Sequence, residues 1–299
     1  MPHKARTRTV IAGLHDHSAI DVKVFGDGPA VLLPTRTEPY DPATAEQMRA
    51  WGAEPEAGPT IIGGLADAGF LVIAADLESH RMAHPAAETL TPEAVTDELI
   101  AIVDAAGADQ FAYVGYSWLG LCGLQLATRT NRLWALVMGG FPPIDGPYRE
   151  MLAVTRAAHA MASEPRVPDQ AKDATVEPGD WDSAQIEADA AQTRQFVTLY
   201  EALDNFDDTR AQRELAIPRL AYAGANDEIV YGPIWGDVTV RIAAPLVEHR
   251  AELEAQGWTV RLLPGRDHIG AMHSDVALPL LTSWLWSAQA RIHSPEIAD

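Results

Sequence analysis

Three short stretches of this chain bring together residue types that can move a proton and attack a carbonyl carbon. They are a hydroxyl in YVGYSWLGLCG (residues 113–123), a carboxylate in AGANDEIV and an imidazole in LPGRDHIGAM. A serine is a poor nucleophile until an imidazole takes its proton, and the imidazole needs a carboxylate to orient it and stabilise its charged form. Ser117, His268 and Asp227 offer those three groups. In Gly115-Tyr-Ser117-Trp-Leu-Gly120 the serine would stand on a sharp strand-to-helix turn, where small neighbours let strand and helix pass closely. Gly115 meets that need. Leu119 stands where the motif has a second glycine, while Gly120 and Gly123 keep one side of the following helix slim. The same serine also fits a plain role as the N-cap of that helix, and the stretch alone leaves both roles open.

Other residues compete for these roles. Asp145, just past the apolar run LVMGGF, is a second candidate for the acid. Glu228 neighbours Asp227 and is expected to face solvent. His273 follows His268 closely, but LPGRDH ends a strand directly, which favours His268. Asp267 reads as a loop residue that caps something nearby. His15-Asp16-His17 has the form of a metal pair, yet no third or fourth ligand is evident and a polar hairpin turn accounts for it, so no metal is expected. His80 and His84 in DLESHRMAHP fit a surface loop better than a pocket wall. Cys122 reads as a small core residue. Met151, Met161 and Trp181 suit substrate contact and packing equally well. Trp118, beside the serine, enters the site if the sharp turn forms.

The elements that must position these groups follow from pattern. TRTVIAGL, AIDVKVF and PAVLLP read as three opening strands, bounded by Gly, Asp and Pro. PTIIGGLADAGF reads as a helix and LVIAADL as a strand. TPEAVTDELIAIVDAAG has a Thr cap, an early Pro, helical apolar spacing and a terminal Gly. Then QFAYVGY is a strand, WLGLCGLQLATRT a helix and LWALVMGGF a strand. Such alternation predicts a parallel sheet covered on both faces, and the almost fully apolar strands agree. From about Ile144 to Ile217 strand candidates vanish, and PYREMLAVTRAAHAMA and SAQIEADAAQTRQFVTLYEAL read as helices. Alternation resumes with the strand RLAYAG, a helix over VRIAAPLVEHRAELEAQG, the strand WTVRLLPG and a closing helix ALPLLTSWLWSAQARI. The middle piece therefore reads as a helical cap inserted between two strands of one sheet. Asp227 and His268 then follow parallel strands, as Ser117 does, so all three share one sheet edge, where open α/β sheets bind ligands.

The chain has 299 residues, 47% of them hydrophobic, enough for one large domain with a substantial core. Its formal net charge of −20 argues against nucleic acid and anionic lipid as partners. Lysine occurs only at 4, 23 and 172, a bias that points to a GC-rich genome. A single cysteine excludes an intrachain disulfide. The start MPHKARTRTVIAGLHDH lacks the apolar core of a signal peptide, and no apolar run approaches the roughly 18 residues of a membrane helix. A cytoplasmic location is expected.

The turn YVGYSW, the acid loop AGANDEIV and the histidine loop LPGRDHIGAM, in the order Ser, Asp, His, resemble the α/β-hydrolase fold superfamily, of the kind found in actinomycetes, over nearly the whole chain. The resemblance implies an α/β-hydrolase core at 1–143 and 218–299 with an inserted helical cap at 144–217. It implies that Ser117 attacks an acyl carbon, His268 shuttles the proton, Asp227 orients His268, and no metal or organic cofactor is needed. The family's oxyanion hole takes one N–H from the residue after the nucleophile, here Trp118, and one from the loop after PAVLLP. Where the family usually has His-Gly, this chain reads Pro34-Thr35-Arg36-Thr37. Pro34 has no N–H; Arg36 is the aligned donor and Thr35 the second choice. The expected activity is cofactor-independent serine hydrolysis of an ester, lactone or thioester of a small, mostly apolar molecule, with Trp181 and Tyr200 lining an apolar pocket. Carbon–carbon bond hydrolysis or lyase chemistry on the same triad is the alternative. A catalytically silent ligand-binding protein is another, for which Leu119 and the missing His-Gly would be the marks.

Overall fold

The central strands are apolar along their whole length because helices cover both sides of the sheet they form. A computed structural model describes residues 7–164 and 188–293; Trp181 lies outside the described residues. The strands are β1 (Thr7–Gly13), β2 (Ala19–Phe25), β3 (Ala30–Leu33), β4 (Leu71–Ala74), β5 (Phe111–Tyr116), β6 (Leu133–Gly139), β7 (Arg219–Gly224), β8 (Glu228–Tyr231), β9 (Val238–Arg241) and β10 (Trp258–Leu263). One sheet has the order β1-β2-β4-β3-β5-β6-β7-β10, and β8 and β9 pair with each other apart from it. β1, β2 and β4 pair antiparallel; from β4 through β3, β5, β6 and β7 to β10 every pairing is parallel.

The helices are α1 (Pro42–Ala50), α2 (Ala57–Asp67), α3 (Leu77–Ala83), α4 (Pro92–Ala106), α5 (Trp118–Ala127), α6 (Tyr148–Ser163), α7 (Ala190–Glu201), α8 (Asp208–Ala211), α9 (Ala243–Glu248), α10 (Arg250–Ala255) and α11 (Ser274–His293). Side chains along each strand alternate between two cores, as the pleat requires. Ala112, Val114, Ala135 and Val137 pack with α2 and α11. Phe111, Tyr113, Leu136 and Met138 pack with α4 and α5. α4 has the ends its sequence predicts: the Thr91 hydroxyl accepts from the Ala94 amide, and Gly107 closes the helix at φ 72°. Between β6 and β7 the described residues form α6, α7 and α8 and no strand.

Three features differ from the sequence reading. VRIAAPLVEHRAELEAQG is not one helix. Val238–Arg241 is β9, paired antiparallel with β8, and the remainder splits into α9 and α10 at His249, whose φ of −99° and ψ of 11° interrupt the turn. α1 starts on Asp41, whose carboxylate accepts from the Ala43 and Thr44 amides, with Pro42 in the first turn. The stretch holding His80 is helix rather than loop: α3 is capped by the Asp76 carboxylate, which accepts from the Ser79 amide. Neither α1 nor α3 carries the apolar periodicity that marks a long amphipathic helix, so each depends on its cap.

Residues 14–18 do form a tight hairpin turn, with the Leu14 amide donating to the Ser18 carbonyl at 2.8 Å and His17 at φ 66°. Its side chains reach inward. His15 Nδ1 lies 2.6 Å from Glu98 of α4, and Asp16 accepts from the fully buried Arg81 of α3 at 2.8 Å. Arg81 also lies 3.5 Å from Glu98 and donates to the Ser18 hydroxyl at 3.0 Å. Burial raises the Glu98 carboxyl's pKa, and Arg81 and His15 oppose that shift. The network ties the hairpin to two helices. Removing one member of such a group strands the others without compensation, at about 3–5 kcal/mol. Arg81→Leu is therefore expected to lower unfolding stability in urea by about that amount, and the double change Arg81→Leu with Glu98→Leu to recover much of the loss.

Candidate active site

β5 ends at Tyr116 and α5 begins at Trp118, so Ser117 alone turns the chain. Its φ of 55° and ψ of −128° are a conformation that residues with a side chain seldom adopt, costing about 1–3 kcal/mol. The surroundings impose it. The Ser117 amide donates to the Gly139 carbonyl at 2.8 Å. A Cβ at Gly115 would lie 2.3 Å from the Leu119 carbonyl oxygen, and one at Gly120 would lie 2.8 Å from the Gly139 carbonyl oxygen. A Cβ at Gly123 would meet the Tyr113 ring at 2.7 Å. The positions that must be bare are thus 115, 120 and 123. Leu119 is tolerated because its side chain packs into the core at the cavity's edge. The Ser117 hydroxyl makes no capping bond to α5, which removes the N-cap alternative; it lies 3.2 Å from His268 Nε2.

Asp227 follows β7 and is wholly buried, with both carboxylate oxygens 3.0 Å from His268 Nδ1. Burial pushes its carboxyl above the usual range, and the bond from His268 pulls part of that back. The β8–β9 hairpin returns the chain to it: the Asp227 carbonyl accepts from the Ile242 and Ala243 amides at 3.2 and 2.9 Å. His268 follows β10. Its carbonyl accepts from the Tyr116 hydroxyl at 2.6 Å, and the two rings lie 5.2 Å apart.

The other candidates go elsewhere. Asp145 is exposed and is not a partner of His268, and Glu228 is exposed on β8. His273 donates from Nε2 to the Gly52 carbonyl, and Asp267 accepts from the Gly270 amide at 2.7 Å. His80 meets the Ser18 hydroxyl at 2.8 Å and stacks on His84. Potential ligand atoms of His15, Asp16 and Glu98 lie within 4.8 Å of one another, a group that does not include His17 of the H-x-H pair. Arg81 already supplies the positive charge there. Cys122 is buried and free. Met151, Met161 and Tyr200 pack against the core and do not line the cavity described next, which corrects the expectation for Tyr200.

Ser117, Trp118 and His268 open into a cavity of about 800 Å³. Leu33, Met48, Ile61, Ile269, Met272 and Leu281 give it apolar lining; Arg36, Tyr40, Asp76, Glu78 and Ser79 give it polar lining. Among the described residues of 144–217, Gln192 of α7 reaches it, and the neighbouring Phe196 packs edge-on against Trp118 at 5.4 Å. In the loop after β3 the Thr35 amide is committed to the Leu33 carbonyl at 2.9 Å. The Arg36 guanidinium turns to Asp76 at 3.3 Å and stacks over Tyr40 at 4.1 Å. Sequence reasoning missed Tyr40, Asp76, Glu78 and Gln192. The Asp-Pro at 41–42 and Asp76, two residues past the strand LVIA, were signals for the two short helices that carry or flank three of them.

Strand order, parallel core and the turn at Ser117 define the α/β-hydrolase fold, and the chain has it. No protein-family model and no curated protein sequence matches the chain. Solved structures do. Bromoperoxidase from Bacillus anthracis is 17% identical, covering 93% of this chain and 100% of its own, with a TM-score of 0.55. Epoxide hydrolase A from Mycobacterium thermoresistibile is 17% identical over 94% of this chain and 98% of its own, with a TM-score of 0.54. A thermophilic esterase from Thermogutta terrifontis is 16% identical over 95% and 99%, with a TM-score of 0.57. At such identities the likeness is one of fold.

The site's geometry depends on a close approach at Gly224, where a Cβ would lie 2.2 Å from the Arg266 carbonyl oxygen and 2.5 Å from that of Asp267. Both neighbours are backbone, so the loop carrying His268 must move to admit a side chain. Gly224→Ala is expected to abolish the downfield proton resonance of the Asp227–His268 hydrogen bond, while far-UV circular dichroism still reports a folded chain.

Proposed function

We propose that this chain is a cofactor-independent serine hydrolase that cleaves an ester, lactone or thioester of a small, mostly apolar molecule. The observation that carries the reading is the continuous chain from the strained Ser117 hydroxyl through His268 to the buried Asp227. The 3.2 Å between Oγ and Nε2 is at the loose end of what free enzymes show before substrate tightens the contact.

In this reading Oγ attacks the acyl carbon as His268 Nε2 takes its proton. The carbonyl oxygen becomes an oxyanion, held by the amides of Trp118 and Arg36. Trp118 is the first residue of α5, so its N–H has no acceptor within the helix, and the positive end of the helix dipole favours the new charge. The Thr35 amide is already bonded, which favours Arg36 as the second donor. Collapse expels the alcohol or thiol, which receives the proton from His268. Water then attacks the acyl-enzyme, with His268 again as base, and releases the acid. Asp227 stabilises the imidazolium in both halves. The helices between β6 and β7 act as the cap over this cavity.

A fluorophosphonate probe is expected to label Ser117, and Ser117→Ala to abolish both labelling and nitrophenyl-ester hydrolysis. Asp227→Asn is expected to lower kcat by about four orders of magnitude, because the imidazole loses its orienting acceptor. A folded protein that neither labels nor cleaves esters would sink the reading. Activity confined to diketones or cyanohydrins would assign the same three residues to carbon–carbon cleavage or lyase chemistry.

A further inference from the structure

One acid in the cavity has no part in the serine chemistry. Glu78, the second residue of α3, faces the same space as Ser117 and Trp118. It is an exposed residue, and part of the surface it keeps forms the cavity wall. Loss of water around the carboxyl raises its pKa; the Trp118 indole beside it opposes the shift and the neighbouring Asp76 charge adds to it. The indole N–H is buried and makes no hydrogen bond of normal geometry, so it influences the carboxyl without satisfying it.

The charges in the cavity do not balance. Arg36 is committed to Asp76 and stacked on Tyr40. Among the described residues no cation forms an ion pair with Glu78, and none figures in the forces acting on its carboxyl. An acid in the first turn of a helix is ordinarily explained by the helix dipole. That accounts for the residue type, not for its place on the wall of a cavity with apolar lining. A carboxylate on a cavity wall, partly stripped of water and without a cation partner, gains from meeting a positive charge.

We propose that Glu78 is a specificity residue that selects substrates carrying a cationic nitrogen, an ammonium or quaternary ammonium group, seated between its carboxylate and the Trp118 indole. The inference rests on the hydrolase reading of the same cavity and narrows its substrate class. A carboxylate beside an aromatic ring is favourable chemistry for such a group, since both attract it. The apolar lining from Met48, Ile61 and Leu281 suits the hydrocarbon that joins the nitrogen to the acyl carbon. Asp76 and Glu78 together oppose a substrate carboxylate. The chain's net charge of −20 raises the local concentration of cations before binding.

The test uses two nitrophenyl esters that differ in one atom: an acyl chain ending in trimethylammonium, and its neutral isostere ending in tert-butyl. The wild-type protein is expected to favour the cationic ester, chiefly through KM. In Glu78→Gln the ratio of kcat/KM values, cationic over neutral, is expected to fall on the order of thirtyfold, the effect of losing one partner of a desolvated charge pair. Glu214→Gln removes the same charge from an exposed site and is expected to leave the ratio unchanged, which separates direct contact from long-range attraction. An unchanged ratio in Glu78→Gln, or an equal loss on both esters, overturns the proposal. Calorimetry with benzyltrimethylammonium gives a readout without turnover. Cation binding that Glu78→Gln abolishes, with neither ester hydrolysed, upholds this inference and rejects the hydrolase reading. Hydrolysis of both esters without cation binding does the reverse.

Discussion

The closeness of one strand, one helix and the next strand governs everything built on this sheet. At the end of β5 the Ser117 amide reaches the Gly139 carbonyl of β6 at 2.8 Å, and the bare faces of Gly115 and Gly120 let α5 lie against both strands. That contact forces Ser117 into its unusual backbone conformation. A serine with ordinary dihedrals at a helix start folds its hydroxyl back over the first amides. Here it cannot, so the hydroxyl points out over the sheet edge and the first-turn amides of α5 stay open to a ligand. The strain is of the kind that survives only where neighbouring structure over-determines it.

The remaining groups meet the hydroxyl because parallel strands all deliver their C-terminal ends to one rim. β7 and β10 are neighbours in full register from Trp258 opposite Arg219 to Leu263 opposite Gly224. Asp227 and His268 therefore leave the sheet side by side, and the missing Cβ of Gly224 lets their loops touch. Burying the Asp227 carboxylate is unfavourable in isolation. The return of β9 caps its carbonyl, His268 bonds both its oxygens, and Tyr116 fixes His268 from the other side. Each group is held by an element different from the one that carries it.

The sequence made the sheet legible because strands buried on two faces must be apolar throughout, and it made α4 legible because its caps are written at both ends. The three rim residues were legible because each follows such a strand. What escaped notice is set by contacts rather than by periodicity. α1 and α3 are short helices held by single aspartate caps. EIVY and VTVR are too brief to stand out from the helix-like run that follows. Leu119 departs from the motif in type yet occupies a position whose side chain has room, while the bare contact falls on Gly120. Glu98 joins His15 and Asp16 as a third potential ligand from 83 residues beyond His15, a distance no local pattern spans. Tyr200, expected in the pocket, is directed into the core by the helical phase of α7.

Substrate recognition is accordingly a tertiary property. α3 has seven residues, too few for a stable helix in isolation, and it carries Glu78 and Ser79 into the cavity. It is gripped from below by the Arg81 network and from above by α7, whose Gln192 and Gln195 side chains donate to the Met82 and Arg81 carbonyls at 2.6 and 3.1 Å. Gln192, Gln195 and Phe196 lie three and four residues apart, so one face of α7 holds α3 and also packs on Trp118. The wall that would recognise a substrate and the residue that follows Ser117 are therefore braced by the same helix. A displacement of α7 would loosen both at once, because the same face of the helix holds α3 and packs on Trp118.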